Sequence, residues 1–532
     1  MKNIKYILLA IAFLLLTPAC SDYFNNKPES QLLLDDFWKK ESDVDAVVRA
    51  CYRAMQEPDF MWRVMIWGEL RSDNVITDPS AAENEKQMNN MNILATNGDC
   101  SWTPFYKVIN YCNTVLKYAP QVEELDPNFT RADLQAAEAE VLAIRALSYF
   151  YLVRTYRDVP LSLEATISDD QPLAIAQSSP EVVLQQITTD LLQAEEWALT
   201  SYPTIKYTKG RMTKDAIRAI LADVYLWRKE YANCITYCDK LINATTIVSN
   251  YSGGTMVVPK YELIKEEPFS LIFDHGNSSE SIFELQFSTD VKNDALTRNK
   301  TEKDDIHNGL YGSETQIGVL TATNAYADSE SELVFPKTDI RKSNFISSLK
   351  AEKSTFKIFK YLGSASAKGI EYSYSYKLTS PNWIFYRITD IMLMKAEALV
   401  QQNSSEADLK LALNLVNKTY MRANPTLEAD SLLFNNYKTV TAMEKLVLLE
   451  RQRELMFEGK RWFDLVRNAE RKNSTAELVD YVMFKYTTNQ STIMSKLSVM
   501  NAIYLPIDDD ELKVNPLLKQ NPYYQVSNTI VK

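Results

Sequence analysis

The sequence predicts a mostly α-helical protein: a scaffold of tetratricopeptide-like helix pairs, interrupted by a loop-rich insertion that carries short strands. Three observations predict it. Apolar residues recur every three or four positions in several separated stretches. Glycine is scarce, 12 in 532 residues, which suits long helices. Between residues 245 and 385 the helical period fades, and Ser, Thr, Asn, Asp and Tyr take over.

The chain opens with MKNIKYILLAIAFLLLTPAC. Lys2 and Lys5 precede an apolar run too short to span a bilayer as a helix, but of the length found in secretory signals. The run ends in a small residue followed by Cys20, as in a bacterial lipobox. Residues 1–19 are therefore expected to be a lipoprotein signal peptide, with Cys20 the lipidated residue. An ordinary signal peptide cut elsewhere is the other reading.

Residues 20–244 are expected to form an N-terminal helical region. Leu134, Ala137, Val141, Ile144, Leu147 and Phe150 mark a helix over 132–156, stopped by Asp158-Val-Pro160. Ser179-Pro180 predicts the start of another, with Ser179 as N-cap. Helices over 213–228 and 231–243 have tetratricopeptide rhythm: Ala216, Ala219 and Ala222 allow close approach, and Tyr225 and Tyr231 bracket the turn. The insertion, 245–385, is expected to lay loops and short strands over the helices; SIFELQF (281–287) and EYSYSYKL (371–378) alternate in strand fashion. Residues 386–532 are expected to form a C-terminal helical region, with a third pair over 387–401 and 407–422 and a further helix over 442–458.

That last helix runs into ERQRELMFEGKRWFDLVR (450–467), where cations, carboxylates and the aromatics Phe457, Trp462 and Phe463 mix. Four pairs of opposite sign stand three apart: Glu450/Arg453, Arg451/Glu454, Glu458/Arg461 and Asp464/Arg467. Near balance of charge excludes a nucleic-acid grip here, and the formal net charge of the chain, −11, opposes one elsewhere. The expectation is a structural brace, with Glu458, Arg461, Asp464 and Arg467 as its members.

Catalytic chemistry has little to build on. The two histidines, His275 and His307, both fall in the irregular region. HExxH, GxxxxGK[ST] and GxGxxG patterns are missing. Cys234 and Cys238 stand four apart on a helix without a second Cys pair or a His nearby, so they read as buried small hydrophobes rather than metal ligands. No catalytic residue, metal ligand or cofactor is assigned.

Six blocks in order resemble the SusD/RagB family of outer-membrane nutrient-binding lipoproteins of Bacteroidetes. They are CSDYFNNKP (20–28), AEVLAIRALSYFYLVRTYRDVPL (139–161), KGRMTKDAIRAILADVYLW (209–227), FYRITDIMLMKAEAL (385–399), the 450–467 stretch and YLPIDDDELKVNPLLKQNPYY (504–524). Arg157 stands where the family turn has Gly. The resemblance implies a surface-exposed, lipid-anchored protein that binds an oligosaccharide, or in some members a peptide, without turnover. It implies delivery to a SusC-like TonB-dependent transporter in the outer membrane. It also implies a site at the loop after an early helix, here WGELRSDNVITDP (67–79), where Trp67 stacks on ligand and Asp73, Asn74 and Asp78 bond hydroxyls; the competing and heavier reading makes Trp67 a core residue and Asp73 a turn or capping residue. The loop after it lacks aromatics, so Tyr311 and Tyr326 of the insertion are expected to complete the platform. A lipid-anchored glycoside hydrolase and a bare tetratricopeptide-type docking protein are the rival readings.

Overall fold

The structure, a computed structural model, describes residues 37–525 apart from 169–170, 172, 250–253, 265–269, 275, 288–305, 313–317, 328–330, 348–355, 362, 369–370, 377–380 and 427–431. Cys20 and His275 lie outside the described residues. Helices dominate. The principal ones are α1 (Glu41–Met55), α2 (Pro58–Glu69), α3 (Thr103–Leu125), α4 (Arg131–Tyr156), α5 (Pro180–Trp197), α6 (Lys214–Trp227) and α7 (Tyr231–Ile242). After the insertion come α8 (Ile388–Gln402), α9 (Glu406–Ala423), α10 (Val440–Leu455) and α11 (Arg461–Lys472).

Local chemistry sets most of the starts. Thr130 and Asp133 form a capping box at α4, with the Thr130 amide donating to Asp133 at 3.0 Å. Ser405 caps α9 by accepting from the Asp408 amide at 3.1 Å, and Thr439 caps α10 by accepting from Ala442 at 3.2 Å. At α5 the expectation needs correcting. Pro180 does occupy the first turn, but the Ser179 side chain makes no capping bond to the helix. The fixed φ of proline starts this helix without it.

The helices stack in sequence: α3 on α4, α4 on α5, α5 on α6, α6 on α7. Ala216, Ala219 and Ala222 are fully buried and let α6 approach its neighbours. The stack does not stop at the insertion. Helix α7 packs directly on α8, α8 on α9, and both α8 and α9 on α10, although residues 243–387 intervene. The third pair thus continues the tetratricopeptide-like stack across a gap in the sequence. Buried apolar residues from Trp38 to Tyr524 belong to one core cluster. The described cysteines are buried thiols within it, and the sulfurs of Cys234 and Cys238 are 4.0 Å apart.

Strands among the described residues form small antiparallel ribbons. Strand β1 (Val75–Thr77) lies after α2, and β2 (Ser281–Leu285), β3 (Leu320–Ala322) and β4 (Trp383–Arg387) belong to the insertion. β1 pairs with β3 in the register Val75↔Ala322. β2 pairs with β4, and all five residues of each are buried. These ribbons tie the insertion to the N-terminal loop on one side and to α8 on the other.

Candidate functional site

The charges of 450–467 are buried apart from the half-buried Lys460, and they hold the molecule together across long sequence distances. Glu454 accepts from Arg341 at 2.9 Å and Arg387 at 2.6 Å, and also pairs with Arg422. Glu458 pairs with Lys360 at 2.6 Å and Arg387 at 2.7 Å. Glu450 pairs with Arg341 at 2.8 Å. Arg451 bridges Asp390 and Asp464, both at 2.9 Å. Arg467 takes Glu397 at 2.6 Å and Asp464 at 2.8 Å. Burial alone would push Glu454 toward the neutral form, yet Arg422, Arg387 and Arg341 together hold it well below the usual carboxylate range.

Two of the four expected pairs form, Glu450/Arg453 at 3.5 Å and Asp464/Arg467. The other two need correction. Arg451 turns to Asp390 and Asp464 instead of Glu454. Arg461 turns to Asp73 instead of Glu458. For Glu458 and Arg461 the reason lies in the turn after α10. Phe457 and Gly459 have φ of +69° and +68°, so the chain reverses between Glu458 and Arg461 and carries them apart. The Glu69 carboxylate clasps this turn, accepting from the amides of Phe457 and Gly459 at 3.1 Å each. Gly68 makes the clasp possible: a Cβ there would sit 1.7 Å from the Gly459 oxygen.

Of the six residues expected to hold ligand, Asp73, Asn74, Tyr311 and Tyr326 gather around this same clasp, Trp67 and Asp78 lie elsewhere, and all six are buried. Asp73 is fully buried; Arg461 grips it in fork geometry at 2.8 and 2.9 Å, and Tyr326 and Gln452 donate to it at 2.8 and 2.9 Å. Desolvation raises its pKa, but Arg461 outweighs burial and leaves it below the usual range. Asn74 donates to Glu69 and accepts from Gln452. Trp67 stacks on Phe105 and donates its indole N–H to the Asp99 carbonyl at 2.9 Å. Tyr311 is buried and donates to the Phe457 carbonyl at 2.9 Å. Asp78 accepts from the amide and hydroxyl of Ser80, closing a turn. The expectation that Trp67, Asp73, Asn74, Asp78, Tyr311 and Tyr326 touch ligand is therefore corrected. Asp73 and Tyr326 bond each other, Trp67, Asn74 and Tyr311 bond other buried groups, and Asp78 bonds Ser80; groups so engaged stabilise a fold rather than bind.

One layer out, the same elements reach solvent. A short turn, Met483–Lys485, packs on the helix Asn324–Ala327 that carries Tyr326. Phe484 at its apex is 46% exposed, with its ring 6.0 Å from that of Tyr326. Lys485 points inward, donating to the Leu70 carbonyl at 2.9 Å, and burial lowers its pKa to about 7. Tyr486 donates to the carbonyl of Asn89, and Lys496 donates to the Asn92 side chain at 3.0 Å. Met91, at φ +52°, bends the chain between them. Three distant segments, 88–92, 324–327 and 483–496, thus make one surface. It offers an open aromatic ring with the exposed amides of Asn90, Asn92 and Asn324 on those segments. A ring beside amides that both donate and accept suits a neutral, hydroxyl-rich ligand. Sequence reasoning sought the aromatic in the insertion; the only trace of Phe484 is the unperiodic run DYVMFKY (480–486).

A larger cleft, about 1240 Å³, opens between α7, α8, α9 and residues 259–264, 271 and 276–279. Its walls include Ile242, Leu271, Met392 and Met421, and its aromatic, Tyr261, is buried with its hydroxyl donating to Asp215. Size favours this cleft, but an exposed ring with polar neighbours favours the Phe484 surface, which an extended chain could cross.

Stacked helix pairs bearing a loop-rich insertion define a helical-repeat protein. Comparison with known proteins gives the family. A family model described as the SusD family matches residues 319–524, and one described as "Starch-binding associating with outer membrane" matches 22–226. SusD-like protein P2 of Formosa agariphila is 24% identical over 503 residues, covering 87% of this chain and 90% of that protein. A SusD-like protein of Bacteroides ovatus is 23% identical, covering 87% and 82%. Among solved structures, a SusD superfamily protein from Bacteroides vulgatus superposes with a TM-score of 0.71 at 20% identity, over 92% of this chain and all of that one. A laminarin-binding SusD-like protein gives 0.66 at 22% identity, over 91% and 100%. The chain belongs to the SusD/RagB family.

Proposed function

We propose that this protein is an outer-membrane nutrient-binding lipoprotein, anchored through Cys20. It captures an oligosaccharide at the Phe484 surface and passes it to a SusC-like TonB-dependent transporter without cleaving it. The observation that carries the reading is the match of residues 22–226 to a family described as starch-binding and associated with the outer membrane. The laminarin-binding structural relative points to the same ligand class.

The mechanism is binding and release. The CH face of a sugar ring packs on Phe484, and the amides of Asn90, Asn92 and Asn324 exchange hydrogen bonds with hydroxyls. Because the ligand is neutral, affinity depends weakly on salt. The segments 88–92 and 483–496 are locked to each other by Tyr486 and Lys496, so little ordering accompanies binding.

Calorimetry against laminarin- and starch-derived oligosaccharides tests this. Phe484→Ala is expected to lower affinity at least tenfold with an unchanged melting temperature. Chromatography of the incubated sugars is expected to show no cleavage. Product formation moves the protein to the hydrolase reading, and binding of peptides alone removes the carbohydrate reading. The anchor is tested separately. Cys20→Ala is expected to abolish palmitate labelling and release the protein from the outer membrane.

A further inference from the structure

A second cleft, about 340 Å³, lies where the helix pairs meet the C-terminal segment. It falls within the size range of small-molecule sites, roughly 300–1,000 Å³. The end of α4, the start of α5, the turn after α6, α11 and Tyr504 all contribute walls. No part of it belongs to the Phe484 surface.

Two features set its lining apart. The first is backbone conformation. Arg157 has φ +72° and ψ −76°, and the Asp158 amide bonds back to the Tyr156 carbonyl at 3.0 Å. This is the form of γ-turn with φ above zero, rare and strained for a residue with a side chain. Glycine adopts it freely. Lys229, across the cleft, also has positive φ, +63°. The second feature is a balanced rim around an aromatic. Trp227 is half-buried in the wall. Arg157 and Lys229 face Glu181 and Glu470 around it. The Arg157 side chain is 47% exposed and comes only within 4.0 Å of Asp158.

We infer that this cleft is a second carbohydrate subsite, taking one neutral sugar ring against Trp227 with its hydroxyls bonded by Arg157 and Glu181. The lining holds Arg157, Arg228, Lys229 and Arg467 with Glu181, Glu230 and Glu470, but Arg228 pairs with Glu230 at 2.6 Å and Arg467 with Glu397 and Asp464, so the remaining Arg157 and Lys229 with Glu181 and Glu470 balance in sign and leave no preference for a charged ligand. Hydroxyls, which donate and accept, use both signs at once. The walls are already fixed: Arg228 donates to the Leu184 carbonyl and Thr188 at 3.0 Å, and Tyr504 donates to Glu470 at 2.8 Å. A strained arginine at the mouth is explained if its guanidinium is needed there. A second subsite lets one polysaccharide, or two, be held at separate points and raises avidity without new contacts at the first.

The inference rests on the carbohydrate reading above, and one experiment separates the two. Wild type, Phe484→Ala, Arg157→Gly and Trp227→Ala are titrated calorimetrically with laminarin- and starch-derived oligosaccharides. Arg157→Gly removes strain, so its melting temperature is expected to hold or rise, which keeps the variant informative if Trp227→Ala unfolds. The expected result is residual, weaker binding in Phe484→Ala that Arg157→Gly lowers at least fivefold in the double variant. Binding abolished by Phe484→Ala alone, with Arg157→Gly identical to wild type, overturns the subsite and leaves the carbohydrate reading standing. No binding of any sugar by wild type overturns both.

Discussion

The clasp around Asp73 and the surface around Phe484 lie one layer apart and share Tyr326, yet their chemistry is opposite. Beneath, Asp73 receives Arg461, Tyr326 and Gln452, and Arg461 also donates to the Leu448 carbonyl. Above, Phe484 and the amides of Asn90 and Asn324 face water. Polar residues therefore do not mark a site by being polar. A buried, saturated group stabilises because removing one partner strands the other; an exposed group costs little to change and remains free to bind.

The sharpest way to break this contrast is to strand a buried charge. Arg461→Ala leaves Asp73 in the core without its counter-ion and is expected to cost about 3–5 kcal/mol, read as a fall in the urea midpoint. Lys107→Ala, which removes a surface pair with Glu57 at 2.7 Å, is expected to cost about 0–1 kcal/mol. Equal losses would mean that the clasp is not what holds the C-terminal helices.

Next in size is Gly68→Ala. The added Cβ meets the backbone of Gly459, which cannot swing aside as a side chain would. A loss of about 1–3 kcal/mol is expected, with unchanged sugar affinity per folded molecule.

A separate test is the pH dependence contributed by two buried groups beside the clasp. Burial raises Glu69 from 4.5 to about 7, so its stabilising contribution is present below pH 4.5 and is lost as pH rises to 7. Burial lowers Lys485 from 10.5 to about 7, so its contribution is present above pH 10.5 and is lost as pH falls to 7. Together they place a dip in stability near neutral pH. Lys485→Met is expected to remove the rise between pH 7 and 10.5, checked by urea unfolding across that range. The smallest stability effect belongs to Phe484→Ala, within about 0.5 kcal/mol, although its effect on binding is the largest proposed.

Much of the scaffold was legible in the sequence. The 3.6-residue period of 132–156 and the small residues of 213–228 depend on nearby residues alone, and the observed helices end within a few residues of those expected. The charged stretch 450–467 was legible as a brace, but its partners were not: Asp73, Arg341, Lys360, Arg387 and Asp390 come from far along the chain. Spacing along a helix names candidate pairs; it cannot see a turn at Phe457 that sends Arg461 elsewhere.

By itself, then, the sequence determined the helices and the family pattern, because helical periodicity is a local interaction. Tertiary structure decided which polar residues are buried. Trp67, Asp73 and Tyr326 carry the same chemical groups whether they face ligand or core, and only packing of α10, α11 and the β1–β3 ribbon around them committed those groups inward. It also decided that Phe484, from a stretch with no periodic signal, would stand exposed beside Tyr326. Exposure is a property of what surrounds a residue in space, and those neighbours were hundreds of positions away.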